Sequence, residues 1–584
     1  MARQKITTSS TAEYFSKNLQ QVGFSSPTKA VLTTLKEAVD NSLDACEDAK
    51  ILPDLYIEIK KAGAGTIKNT DLIKIIVEDN GPGLEPDEVP KVFGEYLASS
   101  KFGRGRCSRG QQGIGISAAT TWAQLTSAKG VQVITKTPKM KQAFSCLVLV
   151  DIKNNKGIIK DKKPVQWDRP SGVRVEFLID GRLQLQGEGG LLTYLMGTSL
   201  VNPHLTLKFK ILDQAVQKVE RVTQECPHVP DATEPHPHTM KLGEFIGHSH
   251  LFGKSTAATW LKRGFSRISS KALEDFVKNG LNKKLLEVTV DKLTDAQFKE
   301  IFAAIHKTEL MAPTTRSVMT IGEEAFSQSI RRLGEVDFFA VLTRRPTICD
   351  FKPVAVEVAI ARLKSGAVNV GELNANEETS VQVLRFANRV PLQFDKSACA
   401  MVKAIETVNW RTYGIVQPKG SLPQGPYVIA VSLVSPFIKF KNASKETVDA
   451  SDELVEEIRR ALIQAGQRLS RHIRQENRAA DLEEKMRHIE QFCPILVDCL
   501  CRITQAPESR KKKATEGLVK LLGRDVNVAK LQLQEATQEA KKAKAAGKLQ
   551  VVDDESLADV EADDSAPKTI AKKSAKVKTD EKIA

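Results

Sequence analysis

Three stretches near the N-terminus hold side chains whose types and spacing suit chemistry. In KEAVDNSLDAC, residues 36–46, Glu37, Asn41 and Asp44 recur at i, i+4 and i+7 and share one face of a helix, with Val39, Leu43 and Cys46 as the apolar counter-stripe. A carboxylate one turn from an amide suits a general base, taking a proton from water, beside a side-chain oxygen that coordinates Mg²⁺. Taken alone, the same row reads first as a solvated polar face, which most surface helices carry.

In LIKIIVEDNGPGL a β-rich run from Leu72 to Val77 ends in Glu78, Asp79 and Asn80, then Gly81, Pro82 and Gly83. A carboxylate at a strand end can accept a hydrogen bond from an adenine amino group, and glycines let backbone approach the ring. DNGPG is equally good turn chemistry, and alone it leaves both readings open. The third stretch, SSKFGRGRCSRGQQGIGISAA, residues 99–119, begins as a Gly- and Arg-rich loop and becomes helical after Gly115. Gly110, Gly113 and Gly115 can offer successive backbone N–H groups to phosphate oxygens at a helix N-terminus. Neither GxxxxGK[ST] nor a strand-first GxGxxG is present, which sets aside a P-loop and a dinucleotide fold.

The elements that must position these residues alternate between helical and β-rich patterns. LYIEI, LIKIIVED and GVRVEFLI indicate a mixed sheet in an α/β domain over residues 1–228. Prolines in CPHVPDATEPHPH break all periodicity, and a helical module with Lys254, Lys262, Arg263, Arg267 and Lys271 follows over 229–312. Strand-like DFFAVLT, VAVEVAIARL and YVIAVSLV return over 313–478, ending in an amphipathic helix at 451–475 with Leu454, Ile458, Leu462 and Leu469 inward. Residues 479–584 read as a helix to Cys501, a second from Ala514 to Ala546, and a charged, disordered tail. The fold class expected is α/β multidomain.

With 86 Lys+Arg against 71 Asp+Glu in 584 residues, the net charge of +15 favours a polyanionic partner. The longest apolar stretch, 427–438, is too short to span a bilayer, and MARQKITTSSTAEYF lacks the apolar core of a secretion signal, so no membrane role and a cytoplasmic location are expected. The nine cysteines are scattered, and Cys493, Cys499 and Cys501 lack paired CxxC spacing, so reduced packed thiols are expected rather than a metal site.

Helix with Glu and Asn, strand-Asp-Gly-x-Gly, then glycine-rich lid, in that order, resembles the N, G1 and G2 boxes of the GHKL ATPases. The resemblance implies an ATP and Mg²⁺ site with Glu37 as general base and Asn41 as magnesium ligand. Asp79, with Gly81 and Gly83, would hold adenine. Ser100, Lys101, Arg109, Gly110, Gln111, Gln112, Gly113, Ile114, Gly115, Ile116 and Ser117 would hold the phosphates. One departure is Val173 after Gly172, where the family usually has Thr, which removes a hydroxyl from the adenine side.

STAEYF, EAVDNSLDACEDAKILP, SRGQQGIGIS, LMAPTTRSVMTIGEEAF and RFANRVPLQFD are together similar to the B-subunit family of type IIB DNA topoisomerases (topoisomerase VI) over about residues 10–475. That resemblance implies a GHKL (Bergerat) domain with an N-terminal strap, a helix-two-turn-helix module, and a transducer domain with a long terminal helix. It also implies ATP-dependent homodimerisation around double-stranded DNA, and an A2B2 heterotetramer with the DNA-cleaving topoisomerase VI A subunit. The family's [SG]KE pattern makes Lys445, in FKNASKETVDA, the lysine that reaches the terminal phosphate on domain closure. The six Tyr residues include none in a basic winged-helix context to replace the nucleophile of that cleaving chain. The alternative is a GHKL clamp or chaperone acting on protein partners. Beside the module's basic residues, Arg104, Arg106 and Arg109 are candidates for contacting DNA phosphates.

Overall fold

The computed structural model describes residues 9–99, 105–110, 112–364, 380–514 and 516–517. Ser100, Lys101 and Gln111, with Arg104, the expected second C-terminal helix beyond residue 517 and the tail, lie outside the described residues. The chain divides into two compact units, 1–477 and 478–584.

The first part of unit 1 contains α1 (Thr11–Lys17), α2 (Pro27–Asp48), β1 (Asp54–Ala64), β2 (Asp71–Glu78), α3 (Val89–Gly94), α4 (Gly115–Ser127), β3 (Val131–Lys136), β4 (Ala143–Asp151), β5 (Lys156–Val165), β6 (Gly172–Gly181), α5 (Leu191–Val201), β7 (Thr206–Ile211) and β8 (Gln217–Val219). The strands form one eight-stranded sheet in the order β5-β4-β3-β6-β2-β1-β7-β8, with β1 and β7 parallel and the other pairs antiparallel. Helix α2 starts where it does because Ser26 accepts from Lys29 N and Pro27 presets the first turn. Its Val31, Leu35, Val39 and Leu43 repeat every four residues, are buried, and join a core with Ile57, Ile75, Val133 and Phe177 of the sheet. Truncating one such leucine to alanine costs about 2–5 kcal/mol.

A second core belongs to the short helices α6 (Leu242–Ser249), α7 (Ala257–Gly264), α8 (Ser270–Lys278) and α9 (Asp295–Lys307), packed around Phe245, Trp260, Phe276 and Ile301. Residues 220–236 lead into it without helix or strand. Their end packs tightly: His236 is 2% exposed, its ring stacks on Phe351 with centroids 5.3 Å apart, and Nε2 lies 3.3 Å from Met311 O.

The remainder of unit 1 contains α10 (Glu323–Ile330), β9 (Val336–Thr343), β10 (Thr347–Cys349), β11 (Lys352–Leu363), β12 (Gln382–Ala387), β13 (Val390–Leu392), α11 (Ala400–Thr407), β14 (Tyr427–Val434) and the start of α12 (Asp452–Ile503). Six strands make a second sheet, β10-β11-β14-β12-β13 with β9 also on β11. Ile458, Leu462 and Leu469 of α12 are fully buried in its core. Sequence reading splits α12 into two helices near residue 478, whereas the helix is continuous over 52 residues. The reason is local: from Gln467 to Cys493 there is no Gly or Pro to stop it.

The α/β multidomain class with two sheets stands as expected. Among the described residues no helix is long and apolar enough to cross a membrane, and the eight described cysteines are all free thiols.

Candidate active site

A cavity of about 280 Å³ opens between α2, the turn after β2, the N-terminus of α4 and the loop 443–446 of the second sheet domain. Of the residues expected at a nucleotide, it is lined by Glu37, Asn41, Asp79, Gly83, Gly110, Gln112, Gly113, Ile114, Gly115, Ile116 and Lys445. Glu37 and Asn41 are one helical turn apart on α2, and neither side chain is hydrogen-bonded among the described residues. Opposite them α4 begins at Gly115, and its N-cap residue Ile114 supplies no side-chain cap, leaving the first-turn N–H groups for an anion. The donors, the carboxylate and the amide therefore face one space. An amide oxygen and solvent are what Mg²⁺ takes when phosphates supply its other ligands, so Asn41 fits that ion.

Asp79 leaves the end of β2 buried, and its Oδ1 accepts Gly81 N at 2.9 Å and Val173 N at 3.0 Å, while Oδ2 accepts the Ser42 hydroxyl at 2.8 Å. Burial pushes its pKa up against these three donors. Both backbone donors occupy Oδ1, so Oδ2 retains a lone pair toward the cavity. Val173, the departure from the family's Thr, thus serves through its backbone. Gly83 has φ +75°, and a Cβ there would lie 2.2 Å from Lys136 O, so only glycine carries the chain across β3 at this turn.

Lys445 has φ +54° and donates from Nζ to Arg109 O at 2.8 Å, so the loop already sits at the cavity. Burial lowers the lysine's pKa, with Glu37 as the main opposing charge. Sequence reading has this lysine arriving only on closure.

Three expected residues point elsewhere. The Gly81 N–H is committed to Asp79. Ser117 is buried, and its hydroxyl donates to Glu95 O at 2.8 Å. Arg109, expected on phosphate or DNA, turns its guanidinium, 1% exposed, away from the cavity onto Asp44 (2.8 Å), Glu47 (2.6 and 2.9 Å) and Asn202 (2.6 Å). Two buried carboxylates on α2 with no water to solvate them outcompete a surface anion for this cation. Asp44 consequently leaves the row it forms with Glu37 and Asn41 and is not at the cavity.

Residues that sequence reading passed over also line the site: Ser42, Tyr194, Gln393 and Phe394. Ser42 stands one residue after Asn41, and its hydroxyl type was the available signal. Gln393 and Phe394 lie in RFANRVPLQFD, more than three hundred residues from α2, where no local pattern points to the cavity.

The family model described as histidine kinase-, DNA gyrase B-, and HSP90-like ATPase matches residues 28–150, and the topoisomerase VI B subunit transducer model matches 313–485. The B subunit of type 2 DNA topoisomerase 6 from Archaeoglobus fulgidus is 36% identical over 497 residues, 85% of this chain and 79% of that one. The protein of the same name from Methanococcoides burtonii is 36% identical over 477 residues, covering 82% and 73%, and that from Pyrococcus furiosus 30% over 566 residues, covering 89% and 95%. One family model takes in the helix that carries Glu37 and the other the loop that carries Lys445, two walls of one cavity contributed by two sheet domains, and the identity extends over most of the chain. The chain therefore belongs to the B-subunit family of type 2 DNA topoisomerase 6, the ATP-driven partners within type IIB topoisomerases.

Proposed function

We propose that the chain hydrolyses ATP in the cavity between α2 and α4 and uses that cycle to drive passage of one DNA duplex through another, cut by a separate A subunit. The carrying observation is the unbonded pair Glu37 and Asn41 facing the uncapped start of α4. Glu37 takes the proton of the attacking water, and Asp79 Oδ2 accepts from the adenine amino group. Gly110, Gly113 and Gly115 with their neighbours, Ser100 and Lys101 included, line the phosphates, and Lys445 reaches the terminal one. Asn41 holds Mg²⁺, which when bound neutralises phosphate charge.

The separate hydrophobic cores support division into an ATPase domain (1–228), a helix-two-turn-helix module (229–312), a transducer (313–478) and an extension (479–584). In unit 2 the end of α12 exposes Phe492, Ile495, Leu496, Leu500 and Ile503, each more than half exposed and spaced as one helical stripe. That stripe supports docking on the cleaving chain in an A2B2 assembly. Two copies join when ATP binds, and the complex works on DNA in the cytoplasm, at the nucleoid.

The test is the full chain co-purified with a candidate A chain in an ATP-dependent plasmid relaxation assay, alongside Glu37→Ala. The variant is expected to keep nucleotide binding and to lose at least about 10²-fold in turnover. Equal turnover in the two proteins removes Glu37 as the base, and ATP-independent relaxation removes the function.

A further inference from the structure

RFANRVPLQFD, residues 385–395, has no catalytic part in this scheme, yet it supplies buried charge to the site. Arg389, in the turn between β12 and β13, donates from Nη2 to Glu47 Oε2 at 2.6 Å, with both side chains 3% exposed. The same carboxylate accepts both Nη atoms of Arg109 and lies 2.8 Å from His204 Nε2. Arg109 in turn offers its carbonyl to Lys445 Nζ. From the other side the hairpin returns to the lysine's own loop: Arg385 donates to Phe394 O at 2.6 Å and Glu446 O at 3.4 Å, and the Thr447 hydroxyl donates to Asp395 Oδ2 at 2.9 Å. A closed ring of hydrogen bonds and backbone thus runs Lys445, Arg109, Glu47, Arg389, Arg385, Glu446.

Glu47 Oε2 is shared by the two arginines, so its position is a balance between them. Burial alone disfavours its charge, but Arg109 and Arg389 outweigh burial and hold it well below the usual carboxylate range. Without Arg389 the carboxylate recentres on Arg109, and the carbonyl that fixes Lys445 moves with it.

We propose that Arg389 is a positioning residue for ATP turnover, acting through Glu47 and Arg109 to set the place of Lys445 and the glycine-rich loop; this rests on the assignment of Lys445 to the terminal phosphate. The transducer hairpin is then part of the ATPase machinery.

Turnover is measured on the full chain with its DNA-cleaving partner chain and supercoiled DNA for wild type, Arg389→Gln, Arg389→Lys, Lys445→Ala and Arg389→Gln with Lys445→Ala. Arg389→Gln is expected to lower kcat at least about tenfold while KM for ATP changes less than about threefold. Arg389→Lys, which returns the charge but not the planar fork that shares Glu47, is expected to lose about two- to fivefold in kcat. On the Lys445→Ala background Arg389→Gln removes less than about a further threefold, because the lysine it acts through is gone. Wild-type kcat in Arg389→Gln, or losses that multiply in the double variant, overturn the proposal. Should Arg389→Gln fail to fold, Arg389→Lys decides: a loss that disappears on the Lys445→Ala background supports it, and wild-type kcat overturns it. An unaffected Lys445→Ala sinks the assignment beneath the inference, whereas a dead Lys445→Ala beside a normal Arg389→Gln sinks only the role of Arg389.

Discussion

Gly115 sits against the carboxylate of Glu37: a Cβ built on it would lie 1.9 Å from Oε2 and 2.0 Å from Cδ. The first residue of α4 is therefore glycine for the sake of an acid on α2. Gly115→Ala should push that acid from its place while leaving the buried face of α4 intact. Displacement of a catalytic group by about 1 Å costs on the order of 10²-fold. Steady-state hydrolysis is expected to fall by that factor with the thermal midpoint nearly unchanged, and wild-type turnover would show that the carboxylate works from another rotamer.

Lys445 is one of the residues through which the second sheet domain touches the cavity. Replacing it with alanine removes the Nζ contact to Arg109 O and the cation from the end of the cavity proposed for the terminal phosphate. Crosslinking of N-termini in the presence of a nonhydrolysable ATP analogue is expected to drop several-fold, with analogue binding weakened less. Unaltered crosslinking would assign closure to other contacts.

Asp79→Asn tests the base contact. With Gly81 N and Val173 N both on Oδ1, the carboxamide must keep its oxygen there and turn its NH₂ toward the position proposed for the adenine amino group, donor against donor. A mismatched buried polar contact costs about 1–3 kcal/mol, so ATP affinity should fall about 5- to 150-fold. Calorimetric titration with ATP checks this, and undiminished affinity would place adenine elsewhere.

His236 gives a pH dependence. Burial lowers its pKa from 6.5 to about 4, so between those values the unfolded chain binds the proton that the folded chain refuses. Stability is complete above pH 6.5 and is lost as pH falls toward 4, by on the order of 1–3 kcal/mol. His236→Gln should flatten the thermal midpoint across that window, and an identical acid-side slope in the two proteins would assign the loss to other groups.

The site is legible in the sequence where it is local. The row of Glu37 and Asn41, the strand that ends in Asp79 and a glycine turn, and the glycine-rich start of α4 are each ambiguous alone and point to one site only through their order along the chain. What is illegible is pairing across distance. Arg109 reads as a loop cation because its partners Asp44 and Glu47 lie on another element, and Glu47 meets Arg389 across 342 residues. Periodicity reports which face a side chain shares with its neighbours and carries nothing about which buried charge it will meet. The long α12 is misjudged for the opposite reason: with no breaker between Gln467 and Cys493, local propensity alone runs it on.

The shared oxygen of Glu47 has one more consequence. Coupling free energy has no direction, so if nucleotide at the cavity shifts the hairpin that bears Arg389, then any load on that hairpin must alter nucleotide affinity by the same factor. Mechanical work done on the far side of the molecule is in this way readable as a change in how tightly ATP is held.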